Sequence, residues 1–141
     1  MLVVDASVAV KFVTQEPGSD EAYKIIVGSE PLIAPDWLLV EAASAMWDKV
    51  RRSVLLEIHA ERNLGLLPDF FARLFPAAEL LQHAYRTAFR LRHPIYDCLY
   101  LALAEREKAE LVTADVKFFK AIERDGRYGG ARLLEWPRNP A

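Results

Sequence analysis

The sequence has little of what several large protein classes require. Its one cysteine, Cys98, cannot form an internal disulfide, and no secretion signal opens the chain, so we expect a protein of the reducing cytoplasm. No apolar run reaches the roughly 18 residues that span a membrane, so we expect no membrane association. Eighteen basic and 20 acidic residues leave a net charge of −2. That balance disfavours a protein that binds nucleic acid through Lys and Arg alone, but it does not exclude an enzyme whose metal ions supply positive charge.

Several enzyme signatures are also missing. The chain contains no G-x-S-x-G, no phosphate-binding P-loop and no G-x-G-x-x-G, which disfavours acyl hydrolases and kinase-like enzymes. The three histidines lack the spacing of zinc-binding helices, so we expect surface or core roles for His59, His83 and His93. A receiver-type signalling domain would need an acidic pair after the first strand, and only Asp5 stands there.

What the sequence does contain is typical of a globular α/β protein. With 141 residues and 52% hydrophobic residues, it predicts a single domain over 1–141 that buries a core without disulfides. Short apolar segments that alternate with helical patterns indicate a parallel sheet covered on both faces. The predicted strands are 2–5, 32–34, 110–113 and 132–134, and the predicted helices are 6–13, 19–27, 36–52, 55–65, 77–91, 96–108 and 116–124. Ser19 and Asp36 are the expected caps of the second and third helices.

Two acidic residues lie at the ends of predicted strands. Asp5 is at the carboxyl end of the first strand, and Asp115 is just past the strand at 110–113. Ligands of open parallel sheets bind beyond the carboxyl ends of the strands, so both residues belong on the functional edge. Each could instead be an ordinary helix N-cap. Asp97 has a similar alternative, because a negative charge in the first turn of a helix suits the helix dipole.

Two other observations favour a metal site. Glu41 lies in the middle of a predicted helix, and its neighbours at helical spacing are mainly apolar, as are those of Asp97. No Lys or Arg stands three or four residues after either carboxylate, and an unpaired buried charge is costly. A shared cation would satisfy both, and carboxylate oxygens suit Mg²⁺ or Mn²⁺. Asp48, two turns beyond Glu41, is expected to be solvated, and Cys98 to pack in the core.

Four segments together resemble the PIN domain, and more narrowly the toxin ribonucleases of VapBC toxin–antitoxin systems. They are Val3-Val4-Asp5-Ala6-Ser7, Glu41 in the helix that begins Pro35-Asp36-Trp37, Ile95-Tyr96-Asp97-Cys98-Leu99-Tyr100-Leu101-Ala102, and Leu111-Val112-Thr113-Ala114-Asp115. The resemblance implies a three-layer α/β/α sandwich with a short-stranded, mainly parallel sheet. It further implies that Asp5, Glu41, Asp97 and Asp115 are catalytic and bind Mg²⁺ or Mn²⁺. Ser7 and Thr113 would support them, although ordinary capping and strand-end roles explain those two equally well.

The function implied by the resemblance is metal-dependent hydrolysis of RNA phosphodiester bonds by the toxin of a type II toxin–antitoxin pair. It also implies a cognate VapB-like antitoxin and a homodimer. The alternatives are a housekeeping PIN nuclease and a catalytically silent RNA-binding PIN module. Trp37 or Tyr96 could stack a base, although core packing fits both better. The cationic candidates for RNA contact are Lys11, Lys49, Arg51, Arg86, Arg90 and Lys117.

Overall fold

The centre of the protein is a five-stranded, wholly parallel sheet. The computed structural model describes residues 1–137. The strands are β1 (Leu2–Val4), β2 (Leu32–Pro35), β3 (Arg73–Phe75), β4 (Glu110–Thr113) and β5 (Ala131–Leu133). Their order across the sheet is β3-β2-β1-β4-β5. The chain therefore builds outward from β1 in one direction, then returns to the other side of β1 to continue with β4 and β5.

Seven helices connect the strands within residues 1–137. They are α1 (Ala6–Ala9), α2 (Ser19–Ile26), α3 (Trp37–Arg51), α4 (Glu57–Leu66), α5 (Ala77–Leu91), α6 (Ile95–Glu107) and α7 (Val116–Asp125). Single 3-10 turns at Val10–Phe12 and Leu67–Phe70 extend α1 and α4. In this described part of the chain, every helix is too short or too polar to cross a bilayer.

The direction of the connections decides which face of the sheet each helix covers. Parallel crossovers are almost always right-handed, so a reversal of strand order moves the helices to the opposite face. The contacts agree with this rule: α3 packs on α1 and α4, whereas α5 packs on α6 and α7. The expected three-layer α/β/α sandwich with a parallel sheet is confirmed.

The core is densest around β1 and α6. All three residues of β1 are buried, as are seven successive residues of α6 from Cys98 to Ala104. A helix that is apolar on every side belongs inside a protein, and α6 lies against β1, β2 and β4. Cys98 is fully buried, as expected from the sequence. The rigid centre of the fold thus carries Asp97 and Tyr100 on one of its helices.

The sequence prediction missed one strand and shifted others. No strand was predicted at 73–75, where β3 pairs with β2 at the edge of the sheet. Only Phe75 of its three residues is buried, so β3 has no local apolar pattern, and its identity as a strand depends on a distant partner. The last strand begins and ends one residue earlier than predicted, and α1 gives way to a 3-10 turn after Ala9.

Neither Ser19 nor Asp36 makes the side-chain capping bond predicted for its helix. Ser19 was expected to cap the second helix, but Gly18 occupies the cap position with a φ of 92°, and the Ser19 hydroxyl donates to the Thr14 carbonyl at 2.8 Å. Asp36 occupies the N-cap position of α3 as predicted, but its side chain makes no capping hydrogen bond there, and its Oδ1 accepts from the backbone N–H of Ala77 at 2.9 Å. Asp36 therefore fixes the start of α5, a partner that lies 41 residues away in sequence.

Candidate active site

The carboxyl ends of β1 and β4 lie side by side at the point where the strand order reverses. The two strands pair in parallel, with Val4 opposite Val112. Asp5 follows β1 and Asp115 follows β4, so both stand at the topological switch point where α/β sheets bind ligands. Both are also helix caps: Asp5 accepts from the N–H of Val8 at 3.3 Å, and Asp115 from the N–H of Phe118 at 3.2 Å. The capping interpretation is confirmed for both residues, and it leaves each carboxylate further lone pairs.

Asp5 is the most deeply buried acidic residue of the site, with 3% of its surface exposed. The hydroxyls of Ser7 and Thr113 donate to its two oxygens, each at 2.5 Å. Burial nevertheless dominates, and it raises the pKa of Asp5 from 3.8 to about 7 even though these hydrogen bonds favour the ionised form. The charge of Asp97 raises this pKa further. Without a cation, the ionised form of Asp5 therefore destabilises the native state.

The same two hydroxyls join the ends of β1 and β4. The backbone N–H of Ala114 donates to the Ser7 oxygen at 2.8 Å, and the N–H of Asp115 donates to the Thr113 oxygen at 3.0 Å. Ser7 and Thr113 therefore contact both Asp5 and the backbone that leads to Asp115. These contacts are the hydrogen bonds that a supporting role would need.

Asp97 and Asp115 approach each other together with His93. Single ligand atoms of the three residues all lie within 4.8 Å of one another; we call this group the His93 cluster. Burial raises the pKa of Asp97, as does the charge of Asp115 to a smaller extent, while His93 opposes the shift. The His93 Nε2 atom lies 2.6 Å from the Asp97 Oδ2 atom.

That contact corrects the sequence analysis in two ways. Asp97 was expected to have no local partner, and His93 was expected to be an ordinary surface or core residue. His93 stands four residues before Asp97, so the spacing is visible in the sequence. A pattern of Lys or Arg after the carboxylate does not detect this partner, because it is a histidine that precedes Asp97.

Glu41 extends the acidic region from α3. It is half-buried, and the hydroxyl of Tyr100 donates to its Oε1 at 2.7 Å. Burial raises the pKa of Glu41, and the charge of Asp97 raises it further. Tyr100 is fully buried. The sequence predicts only that it lies on the apolar face beside Asp97, and it does not indicate the hydrogen bond to Glu41. Its role follows from the packing of α6 against the sheet, which no short-range pattern indicates.

The four predicted carboxylates thus form one electrostatic unit around Asp97. Its charge acts on Asp5 and on Glu41, and the charge of Asp115 acts on it. Only Asp97 and Asp115 belong to the His93 cluster, and Asp5 and Glu41 border it. Burial and mutual repulsion raise the pKa values of Asp5, Glu41 and Asp97, and a small divalent cation would offset this repulsion. Asp48, by contrast, pairs with Arg51 and Arg52 at the surface, so it is solvated as expected.

An open groove of about 310 Å³ adjoins the site, and Ser7, Glu41, Lys49 and Arg52 are among its lining residues. Lys49 forms an ion pair with Glu16 at 2.5 Å, and Lys11 contacts the same carboxylate at 3.4 Å. Lys49 and Arg52 are the basic residues among those that line the groove.

Three other candidate RNA contacts, Arg90, Trp37 and Tyr96, have partners of their own. Arg90 binds Asp125 and Glu105, which ties α5 to α6 and α7. Trp37 and Tyr96 stack on each other with ring centroids 5.4 Å apart, and 53% of Tyr96 is exposed. Arg90 therefore has a structural explanation, while one side of the aromatic pair remains accessible.

Comparison with known proteins agrees with the fold. The PIN domain family model matches residues 2–124. The chain is 34% identical over 116 residues to Ribonuclease VapC3 of Pyrobaculum aerophilum, an alignment that covers 81% of this chain and 88% of that protein.

Solved structures share the same architecture. The P. aerophilum protein PAE2754 has a TM-score of 0.72 at 24% identity, covering 94% of this chain and 90% of that one. A toxin–antitoxin complex from Klebsiella pneumoniae gives 0.67 at 14% identity, covering 96% and 98%. FitAcB from Neisseria gonorrhoeae gives 0.59 at 16%, covering 87% and 94%. From the family match and the VapC3 identity together, we conclude that this chain belongs to the PIN-domain family.

Proposed function

We propose that this protein is a metal-dependent ribonuclease that hydrolyses RNA phosphodiester bonds, and that it is the toxin of a type II toxin–antitoxin pair. The observation that carries the proposal is the meeting of Asp97 and Asp115 beside the buried Asp5 at the switch point of the sheet. This chain is 34% identical to a relative named as a ribonuclease, which supports the same conclusion.

In this proposal Asp97 and Asp115 are the central metal ligands, and Asp5 and Glu41 complete the acidic site. Ser7 and Thr113 hold the Asp5 carboxylate in place through its two oxygens. Tyr100 orients Glu41 through one hydrogen bond. The acidic residues repel an RNA phosphate unless their charge is compensated, so substrate binding and cation binding are linked.

The cation would be Mg²⁺ or Mn²⁺, since both favour oxygen donors. When bound, such an ion supplies positive charge at the phosphate and lowers the pKa of water. The chain's own contribution is a preorganised set of oxygen ligands on strand ends and on buried helices. Lys49 and Arg52 in the neighbouring groove would contact the RNA backbone on one side of the cut.

The test is cleavage of structured and unstructured RNAs by the purified protein with Mn²⁺, with Mg²⁺ and with EDTA. We expect cleavage with the ions and none in EDTA. Asp97→Asn and Asp5→Asn should lose cleavage, whereas Glu30→Gln should keep it. Glu30 is an exposed acidic residue just before the amino end of β2, so it controls for loss of one negative charge. Full cleavage in EDTA, or by Asp97→Asn, would disprove the proposal.

The toxin half of the proposal requires a protein inhibitor. A nuclease that acts on cellular RNA must be restrained in its own cytoplasm, and a solved neighbour of this fold is a toxin–antitoxin complex. A partner Arg could form bidentate hydrogen bonds with the site carboxylates, competing with metal and RNA. Apolar residues of the partner would pack on exposed apolar helix surface and contribute much of the affinity.

Growth of the host distinguishes a toxin from a housekeeping nuclease. Expression of the wild-type chain alone should slow growth, and expression of Asp5→Asn should not. A small protein encoded beside this one should co-purify with it and inhibit it, and Glu41→Gln should weaken that complex. Normal growth with the wild type and no recovered partner would identify a housekeeping enzyme. A silent RNA-binding module is disfavoured because all four acidic residues are present.

A further inference from the structure

His93 is held in a fixed position between two helices of the site. It follows Arg92, which ends α5 in a left-handed conformation with a φ of 51°, and it precedes Pro94 at the start of α6. Its backbone N–H donates to the Ala88 carbonyl at 3.1 Å. Its side chain is 12% exposed, and its ring stacks on Phe118 with centroids 5.2 Å apart. The backbone and the ring of His93 are therefore both constrained by neighbours.

The ring nitrogen that points to the acidic group has a defined partner. Nε2 of His93 lies 2.6 Å from Oδ2 of Asp97. An ionised carboxylate can only accept, so the imidazole donates the proton in this bond when Asp97 is ionised, as it is when it binds a cation. Within residues 1–137, no other hydrogen bond reaches the Asp97 side chain. The orientation of Asp97 in α6 thus depends on His93.

Phe118 links this arrangement to the other half of the cluster. Its ring stacks on His93, and its backbone N–H donates to Asp115 at 3.2 Å. The residue that supports His93 therefore also fixes Asp115. A displacement of the His93 ring would change the spacing between Asp97 and Asp115, which the cluster holds within 4.8 Å.

We propose that His93 is a positioning residue, which holds Asp97 by hydrogen bonding in the orientation that binds the divalent cation together with Asp115. The inference rests on the proposed metal-dependent function. A nitrogen that donates its proton to Oδ2 has no lone pair left for an ion, so His93 acts through Asp97. Hydrogen bonds to metal-binding side chains typically change metal affinity by about 10- to 100-fold.

Two substitutions separate the hydrogen bond from the ring contact. His93→Phe keeps an aromatic ring against Phe118 and removes the donor. His93→Gln loses the ring but keeps an N–H donor at the end of a side chain of similar reach. Mn²⁺ and Mg²⁺ binding are measured without RNA, by calorimetry and by the shift in melting temperature on adding each ion. Cleavage is then measured against Mn²⁺ concentration.

We expect His93→Phe to weaken the binding of Mg²⁺ and of Mn²⁺ by about 10- to 100-fold, with a similar factor for the two ions. His93→Gln should recover much of this lost affinity. The Mn²⁺ concentration for half-maximal cleavage should rise, while kcat at saturating Mn²⁺ stays close to wild type. A loss confined largely to Mn²⁺ would make His93 a direct nitrogen ligand and overturn the proposal. Wild-type ion affinity in both variants would mean that His93 only packs in the core, and this result would also overturn the proposal.

The outcomes also separate this inference from the proposed function. If His93→Phe loses ion affinity but the wild type cleaves no RNA, His93 positions a metal ligand in a protein that is not a ribonuclease. If the wild type cleaves RNA and His93→Phe binds ions normally, only the inference about His93 fails. Should His93→Phe not fold, His93→Gln is compared with His93→Leu, which has no donor. Ion affinity that is kept in His93→Gln and lost in His93→Leu supports the hydrogen bond, and equal affinities in the two variants contradict it.

Discussion

Asp5 shows how one carboxylate serves a helix cap and a candidate metal site together. It accepts hydrogen bonds from Val8, Ser7 and Thr113, yet burial still raises its pKa to about 7. A carboxylate has about four lone-pair sites, so a cap does not exhaust it. The choice between cap and ligand that the sequence left open is therefore not exclusive for Asp5 or for Asp115.

The raised pKa of Asp5 makes the stability of the metal-free protein depend on pH. Between pH 4 and 7 the native state holds a proton at Asp5 that the unfolded chain has released, so stability falls as the pH rises through this range. Asp5→Asn removes this contribution. At pH 8 without metal, we expect the variant to be more stable than wild type by at most about 4 kcal/mol, and at pH 4 to match it. Urea unfolding at both pH values measures the difference.

Asp48→Asn is the control, because the pH dependence of the stability contributed by Asp48 has the opposite sign. Hydrogen bonding and charge from Arg51 and Arg52 lower the pKa of Asp48, so its contribution to stability is present at neutral pH and is lost in acid. That variant should be slightly less stable than wild type at pH 8. An Asp5→Asn variant that is less stable than wild type at pH 8 would mean that capping outweighs the cost of burying the charge.

Divalent cations should reverse the effect of pH on the wild type. Protons and cations compete for the same carboxylates, and an ion that binds only the native state stabilises it by mass action. We expect Mn²⁺ to raise the melting temperature more at pH 8 than at pH 5, because Asp5, Asp97 and Glu41 all have raised pKa values. Calorimetry of Asp97→Asn is the control, and an equal rise in that variant would place the bound ion elsewhere.

At the scale of elements, α6 and α7 position the site through their first turns. Asp97 lies in the first turn of α6, and Asp115 caps α7. α6 starts directly after Pro94, whose φ is fixed by its ring, and α7 starts just after the end of β4. The sequence predicted both helices to within one residue, because apolar periodicity and the flanking residues are local signals.

Two glycines test how local conformation stabilises these elements. Gly126 ends α7 with a φ of 71°, and an added Cβ would meet no atom closer than 3.9 Å. Gly126→Ala should therefore cost about 1 kcal/mol through backbone strain alone. Gly65 lies inside α4, with no atom within 4 Å of an added Cβ. Gly65→Ala should stabilise by roughly 0.5–1 kcal/mol. Urea unfolding of both variants measures the change in the free energy of unfolding. A change of the same sign in the two variants would contradict the prediction.

At the scale of the whole molecule, one face of α5 is apolar and exposed. Leu81, Tyr85 and Phe89 follow one another at four-residue spacing with 52%, 57% and 70% of their surface exposed. Leu81 also borders an apolar hollow that includes Trp37 and Tyr96. Single exposed apolar residues are ordinary, but a continuous stripe of this kind is typical of an interface.

We expect this stripe to form the interface of a homodimer. Leu81→Glu should give a monomer at micromolar concentration, because it places a charge in a contact that excludes water. Ile58→Glu is the matched control, since Ile58 is 72% exposed but lies on α4. Light scattering of the three proteins measures the mass. A monomeric wild type would contradict the prediction of a homodimer, and a dimeric Leu81→Glu would move the interface to another surface.

The sequence alone determined the features that depend on neighbours along the chain. Apolar runs and helical spacing predicted four of the five strands within residues 1–137, and all of the helices. The four acidic positions at strand ends and on apolar helix faces predicted where a cation site would form. The strand and helix predictions are confirmed because hydrophobic periodicity acts over a few residues, whereas the cation site at the edge of the sheet stays a prediction.

Only the tertiary structure decided which side chains meet. The edge strand β3 exists because β2 offers it hydrogen bonds, and the Asp36 side chain bonds to α5 rather than to its own helix. Tyr100 reaches Glu41 across 59 residues of sequence, and the position of His93 against Asp97 depends on Phe118 from α7. Such contacts form between elements that the sheet brings together, so their physical cause is the packing of the whole domain, which no local pattern records.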